Sequence, residues 1–579
     1  MAVSGVRFMG RAPIVTRWLG RAPYQAFAAP SAGGTGFMSV EAASTPGQVD
    51  APVDGGGRAP RTGLLLLVCC VAQFMVILDL SIVNVALPSI QSSLGFSSPD
   101  LQWVVDAYAL TLAAFLLTSG SLGDQIGRRT IFIWGLVVFT LSSAVCGLSS
   151  TPLMLNLARG VQGVGGAMMF ATALALIAGA FEGRERAQAF GIYGAVTGAA
   201  VAVGPLIGGI ITSAIGWQWI FYVNVPIGIA AVIVSLRRVD ETRDPHPGGI
   251  DWPGFVTFSA SLFMLVFALV RGNDSGWGST KIILLLVGAV VSMALFVLIE
   301  WRRRHPMFDL TLFARHSFTG ANIVAFAISA SIFSMFLYLT LYIQDVLGYS
   351  PLQAGLRFLP ITLLSFAVAP LAGRLIVKVA PQILLGGGLV LIAVGLLLMT
   401  QIDATSGWTV LIPGFVIAGA GIGLVNPPLA ATAIGVVAPE KSGMASGINS
   451  TFRQVGIATG IAALGALFQH RVAEEATSSL TASGHGAAVA RAAHGNVGSA
   501  LQSGNVRALA AHLPVPARQA LESAYHSAFT AGLTEILLVA TAIAFAGAIC
   551  AFALIRRSDF QAGSHHEAPA EVAPAGAAA

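Results

Sequence analysis

The sequence predicts an all-α polytopic membrane protein, and three observations carry that prediction. Only 10% of the residues are charged and 55% are hydrophobic, with a mean hydropathy of +0.79, whereas soluble domains carry about 25% charge. Apolar runs near the length of a spanning helix, about 20 residues, follow one another from residue 64 to residue 555. Basic residues gather in alternate connections between those runs, the pattern that orients spans in a bilayer. The net charge of +5 calls for no nucleic-acid partner. Cys69, Cys70, Cys146 and Cys550 all fall in apolar runs without ligand spacing, so neither a disulfide framework nor a metal site is expected.

Residues 1–62 are rich in Gly, Ala, Pro and Arg, and Gly-Arg-Ala-Pro recurs at 10–13, 20–23 and 57–60. Lacking an apolar core of signal-peptide length, this segment reads as disordered and cytoplasmic. Met38 is an alternative start, with the residues before it a gene-calling artefact. Fourteen spans are then expected, at 64–88, 101–122, 131–149, 153–180, 187–212, 219–236, 252–270, 281–300, 319–344, 353–377, 383–401, 409–436, 444–468 and 528–555. Connections such as Arg128-Arg129, Arg237-Arg238 and Arg302-Arg303-Arg304 are basic, while those near 92–100, 213–218, 346–351 and 402–408 hold no Lys or Arg. The basic set and both termini are therefore placed on the cytoplasmic side. Residues 470–527 read as a solvated external loop with a short helix near 506–526. A metal sensor is the alternative there, on His470, His485, His494, His512 and His526.

Soluble-enzyme chemistry finds no foothold. Gly435 to Ser442 is one residue short of a phosphate loop, but Glu440 stands where a glycine is needed and would repel phosphate. Gly419, Gly421 and Gly423 lie inside an apolar run and read as packing glycines. No nucleophile elbow or zinc motif is present. An ATPase, dehydrogenase or hydrolase is not expected.

Two local patterns stand out instead, a bent close-packing face and a charged turn. In the fifth run, Gly204-Pro205-Leu206-Ile207-Gly208-Gly209 combines a helix-bending proline with glycines four apart, which let a second helix approach closely. Between runs two and three, Gly120-Ser121-Leu122-Gly123-Asp124-Gln125-Ile126-Gly127-Arg128-Arg129 joins a tight turn to an acid and two arginines.

That loop resembles the signature loop of the major facilitator superfamily, with Gln125 where a basic residue is frequent. Leu155, Arg159, Gln162, Gly163, Gly165 and Gly166 resemble the family's arginine motif. Gly191, Gly204, Pro205, Gly208 and Gly209 resemble its antiporter motif, with Ala200 replacing a glycine. Leu78 to Pro88 and Trp217 to Gly228 are similar to motifs of the fourteen-span drug:proton antiporter branch, the second with Gln218 where an arginine is usual. Tyr342-x-Gln344, Gly348 to Pro351, Ala354 to Pro360, Gly443 to Gly447 and Arg453-Gln454-x-Gly456 fit the same branch. The resemblance covers residues 63–556 and implies a major facilitator fold of two six-helix bundles plus two inserted helices. The bundles would be 63–240 and 306–557, the inserted pair 241–305, and 558–579 a disordered cytoplasmic tail.

An Asp, Lys or Arg at a spanning helix centre costs at least about 2.5–3.5 kcal/mol, so each asks for an explanation. Asp79, Asp106 and Arg159 are placed at similar depths. If spans one, two and four adjoin, as the family fold implies, Arg159 pairs with one of the two carboxylates. Burial penalises an ionised carboxylate, so such an acid can exchange a proton as its exposure changes; Asp79 is the favoured carrier. Glu535 is placed in the outer part of the last span, facing the second half of the cavity, or among headgroups if that span starts later. Arg357 and Arg453 are assigned to backbone carbonyls, and Glu300 to an interfacial ion pair. The resemblance also places Asp124 against the N-terminus of span thirteen.

The function implied is proton-coupled export of amphipathic, cationic small molecules across a bacterial cytoplasmic membrane. The partners are the small-molecule substrate and membrane lipid. No cofactor is expected, the proton gradient being the energy source. Oligomeric state does not follow from the sequence, and a monomer is the default. A dedicated exporter of one self-made metabolite, an importer, and a transport-inactive sensor or assembly partner are the rivals.

Overall fold

A computed structural model describes residues 59–181, 183–243, 249, 251–303, 306, 308–376, 378–437, 442–482, 513–556 and 559. The expectations for residues 1–58 and for nearly all of the tail lie outside them. Among the described residues there are helices and no strand. They are α1 (Ala59–Leu94), α2 (Ser98–Ile126), α3 (Arg128–Gly147), α4 (Pro152–Ala180), α5 (Gly183–Ala214), α6 (Trp219–Tyr222), α7 (Asn224–Arg238), α8 (Trp252–Ser275) and α9 (Thr280–Arg302). Then follow α10 (His316–Ile328), α11 (Ser334–Leu341), α12 (Pro351–Arg357), α13 (Leu359–Leu375), α14 (Pro381–Met399), α15 (Ile412–Gly435), α16 (Ser442–Ala482) and α17 (Val515–Leu554).

Helix occupies each of the expected apolar stretches, but among the described residues the count of fourteen spans is not reached. Twelve of the described helices are long and apolar enough to cross a membrane, or thirteen with α12 and α13 taken as one span bent by 42°. The remaining stretch is α5, a 32-residue helix whose described apolar part, Val203–Ala214, is too short to count. Helix starts follow from side-chain caps that satisfy free amide groups. Thr151 caps α4 ahead of Pro152, Asp251 caps α8, and Ser350 with Gln353 forms a capping box ahead of Pro351. α2 ends at Gly127, whose φ of 132° suits a residue without a Cβ.

In the first half α1 packs on α5, and α4 on α2 and α3; in the second, α15 packs on α13 and α14, and α17 on α14 and α16. The halves meet where α2 runs along α16, α5 along α12 and α1 along α11. Of the inserted pair, α8 touches both halves. Arg271 pairs with Asp100 of α2, and Asn273 Nδ2 donates to the Ala466 carbonyl of α16 at 2.6 Å.

Two expectations are corrected here. Helix α1 begins at Ala59, inside the segment read as disordered. The ends of the 470–527 segment are not loop, because α16 continues to Ala482 and α17 starts at Val515. Val472, Ala476 and Leu480 pack against Leu521, Ala524 and Ala528, and this buried stripe keeps both helices going. The short helix expected near 506–526 is, from Val515 onward, the first turns of α17. His485, His494 and His512 lie outside the described residues, and among those described no metal-binding group occurs.

Candidate functional site

A buried polar cluster occupies the first half. α1 contributes Asp79, and α4 contributes Arg159 and Gln162, which stand one turn apart on the same face. Arg159 forms an ion pair with Asp79 in which neither side chain is exposed. Gln162 Nε2 donates to the other Asp79 oxygen at 2.9 Å, and Arg159 Nη1 also donates to Gln162 Oε1 at 2.8 Å. Arg159 Nε donates to the Val104 carbonyl of α2 at 2.9 Å, and the guanidinium lies 4.3 Å from the Tyr108 ring centroid. The glycines of α4 make room: a Cβ on Gly166 would stand 3.0 Å from the Tyr108 hydroxyl, and one on Gly163 would collide with the Tyr108 carbonyl. Burial of an ion pair is tolerable only when its remaining hydrogen-bonding groups are nearly all satisfied, and this cluster achieves that save for Arg159 Nη2.

Asp106 is not the partner of Arg159. It is fully buried, and neither carboxylate oxygen has a hydrogen-bond partner among the described residues. Val104 and Tyr108 both face Arg159, so Asp106, midway between them on α2, is turned roughly 200° away from each at about 100° per residue.

A cavity lies where the halves meet, with about 800 Å³ of empty space, part of it open to solvent. Its polar wall includes Ser81 and Asn84 of α1 with Arg453 and Gln454 of α16; its apolar wall includes Phe336 and Phe358. The α1 lining residues Ile77, Leu80, Ser81, Asn84 and Val85 follow the spacing of one helix face. Asp79 falls on the opposite face. α1 therefore presents the ion pair to α4 and the cavity to the second half.

The Gly204–Gly209 stretch packs both ways. A Cβ on Gly204 would collide with Ser81, and one on Gly208 would stand 2.8 Å from the Ile82 carbonyl, so these glycines seat α5 on α1. Gly209 faces α12 instead, where a Cβ would meet the Pro351 carbonyl at 2.6 Å, and Ser213 Oγ accepts from the Leu352 amide at 2.9 Å. Gly191 lies on α5. Gln344 Nε2 adds a second tie between the halves, donating to the Val85 carbonyl at 2.7 Å.

At the turn between α2 and α3, Arg128 Nε donates to Asp124 Oδ1 at 2.9 Å. Asp124 thus pairs with its neighbour one helical turn on; residues 438–441, just before α16, lie outside the described residues. Gly120 is near Ala171 of α4, and Arg129 Nη2 donates to the Leu236 carbonyl at 2.5 Å. Sequence reasoning missed Glu241, which accepts from the Arg129 amide at 3.0 Å, the Thr130 amide at 3.2 Å and the Thr130 hydroxyl at 2.6 Å.

Two further placements differ from expectation. Glu535 does not line the cavity; its side chain is 42% exposed and pairs with Arg471 Nε at 3.7 Å. Arg453 bonds the Asn426 side chain at 2.8 Å and lines the cavity, whereas Arg357 does bond a backbone carbonyl, that of Gln353, and covers the Tyr349 ring. Glu300 accepts from the Phe308 amide at 3.3 Å, beside the Asp251–Arg303 ion pair; residues 304 and 305 lie outside the described residues. Among the described residues that line the cavity there is no carboxylate; Asp79, Asp106 and Glu535 are not among them.

Comparisons with known proteins agree with this architecture. The chain is 37% identical over 409 residues to the multidrug resistance protein Stp of Mycobacterium tuberculosis, covering 70% of this chain and 76% of that protein. It is 32% identical over 548 residues to the tetracenomycin C resistance and export protein of Streptomyces glaucescens, covering 93% of this chain and 100% of that protein. A crystal structure of a bacterial homologue of the human lysosomal transporter Spinster, inward-facing and occupied, shares the fold. Its TM-score is 0.55 at 18% identity, over 86% of this chain and 98% of that one. The family profile matches residues 69–461, and this multi-pass membrane protein belongs to the Major Facilitator Superfamily, alongside relatives that export drugs and antibiotics.

Proposed function

We propose that this chain is a proton-coupled exporter of amphipathic small molecules, with Asp79 as the proton carrier. The observation that supports this reading is the two-faced use of α1, with the buried Asp79–Arg159 pair on one side and the cavity lining on the other. A proton arriving on the Asp79 carboxylate removes its charge and weakens its hold on Arg159. That loosens α1 against α4, and the lining residues move with the same helix. One proton entering down 100 mV supplies about 2.3 kcal/mol, enough to bias two states that differ by a few kcal/mol. The glycines of α5 keep that helix in close contact with α1 and with α12, a seal against leak while the cavity changes sides.

The relatives' names include both a multidrug resistance protein and an exporter of one compound, so both a broad and a dedicated cargo fit this reading. A transport-inactive sensor would have no use for a buried ion pair and a cavity sharing one helix. The test is dye efflux from a pump-deficient bacterium expressing the chain. Efflux should stop with an uncoupler and with Asp79→Asn. Efflux that survives the uncoupler removes proton coupling, and absence of any efflux removes export.

A further inference from the structure

The cavity's charge points to a cargo opposite in sign to the one the sequence suggests. Among the described residues that line it, Arg453 carries the only formal charge. Its hydrogen bond goes to Asn426 Oδ1, a neutral acceptor, at 2.8 Å, and no described carboxylate pairs with it. Asp79 and Asp106 are buried behind the wall, and Glu535 is occupied by Arg471. A guanidinium facing an apolar, partly dehydrated space attracts an anion strongly and repels a cation, because charge interactions grow as the dielectric falls. Arginine is also the side chain best shaped to hold a carboxylate through two parallel hydrogen bonds.

The rest of the wall narrows the class. Asn84 and Gln454 both line the cavity, and Asn84 Oδ1 and Gln454 Oε1 are themselves buried with no hydrogen-bond partner among the described residues; Gln454 is only 2% exposed. A buried acceptor left unpaired costs about 1–3 kcal/mol, so a ligand that offers hydroxyl or N–H donors gains when these two side chains turn their oxygens toward it. On the side of the second half, Phe333, Phe336 and Phe358 form a continuous aromatic surface, with ring centroids 6.2 Å and 5.5 Å apart. Planar rings pack favourably against such a surface.

Taking the cavity as the substrate site, we infer that its cargo is a hydroxylated aromatic acid, held by Arg453 at its carboxylate, by Asn84 and Gln454 at its hydroxyl groups, and by the phenylalanines at its ring face. The inference rests on the export reading only in identifying the cavity as the substrate site.

The test is equilibrium binding to the purified full chain in detergent, with no gradient. Three matched probes are used: 3-hydroxy-2-naphthoate, its neutral carboxamide, and a naphthylmethyl-trimethylammonium cation. The acid should bind at least tenfold more tightly than either other probe. Arg453→Gln should remove that advantage while leaving carboxamide affinity within about twofold, which also reports that the site is folded. Arg453→Lys should retain part of the preference. Equal affinities, a preference for the cation, no binding of the acid, or an acid preference that persists in Arg453→Gln overturns the inference. So does loss of carboxamide binding in Arg453→Gln together with no acid preference in Arg453→Lys. Because no gradient is applied, a failure of proton coupling leaves this ranking intact, and a failed ranking leaves coupling intact.

Discussion

The Arg159 guanidinium is ion-paired with Asp79 across α1 and α4, with both side chains sealed from solvent. Removing the cation leaves a buried carboxylate with Gln162 as its remaining donor. Breaking a buried pair from one side costs about 3–5 kcal/mol. Arg159→Met should therefore lower the thermal midpoint in detergent by several degrees, read by fluorescence-detected size exclusion. A midpoint equal to wild type would mean that the pair contributes nothing to the fold.

Asp106 offers the contrast. Its carboxylate has no hydrogen-bond partner among the described residues, so Asp106→Asn sacrifices no bond. Its expected effect on the thermal midpoint corresponds to about 1 kcal/mol or less, in either direction, in line with the cost of a neutral polar group at that position. A loss as large as that of Arg159→Met would reveal a partner for this acid.

Gly208 and Gly209 are adjacent but face different helices. Gly208→Ala would press on the Ile82 carbonyl of α1 and should cost about 1–3 kcal/mol of stability, as overpacking does. Gly209→Ala would press on Pro351 and Leu352 of the other half. Its expected signature is easier opening between α5 and α12, seen as faster labelling of a cysteine placed at Ser213. Equal labelling rates with and without the alanine would contradict that assignment.

At the turn after α2, Glu241 receives three hydrogen bonds from the start of α3. Glu241→Ala should cost about 0.5–2 kcal/mol, the worth of an N-cap, and raise amide hydrogen exchange at Arg129 and Thr130. Asp124→Asn, which weakens the link to Arg128, should slow turnover while substrate affinity stays within about twofold. Unchanged turnover in proteoliposomes would remove the loop from the switching mechanism.

Much of this was legible in the sequence because spanning helices are set by local run length and polarity. The Asp79–Arg159 pair was half legible. The two residue types announced a buried pair, but depth alone did not choose between Asp79 and Asp106. Helical phase does choose, since Val104 and Tyr108 claim the α2 face that meets Arg159. Phase also shows in Val472, Ala476 and Leu480, an i, i+4, i+8 stripe that marks α16 as continuing past the membrane-length run. Glu241 was not legible, because it acts on residues more than a hundred positions away. Nor was Arg453, whose role depends on which side of α16 meets a cavity built by both halves.

The central claim is that a proton taken up at Asp79 drives cargo movement. The most direct measurement is proton flux into proteoliposomes loaded with a pH indicator, recorded when a transported dye is added. Wild type should show dye-dependent proton movement, and Asp79→Asn should bind the dye yet move no protons. Dye movement without proton movement in wild type, or an unchanged proton flux in Asp79→Asn, contradicts the account.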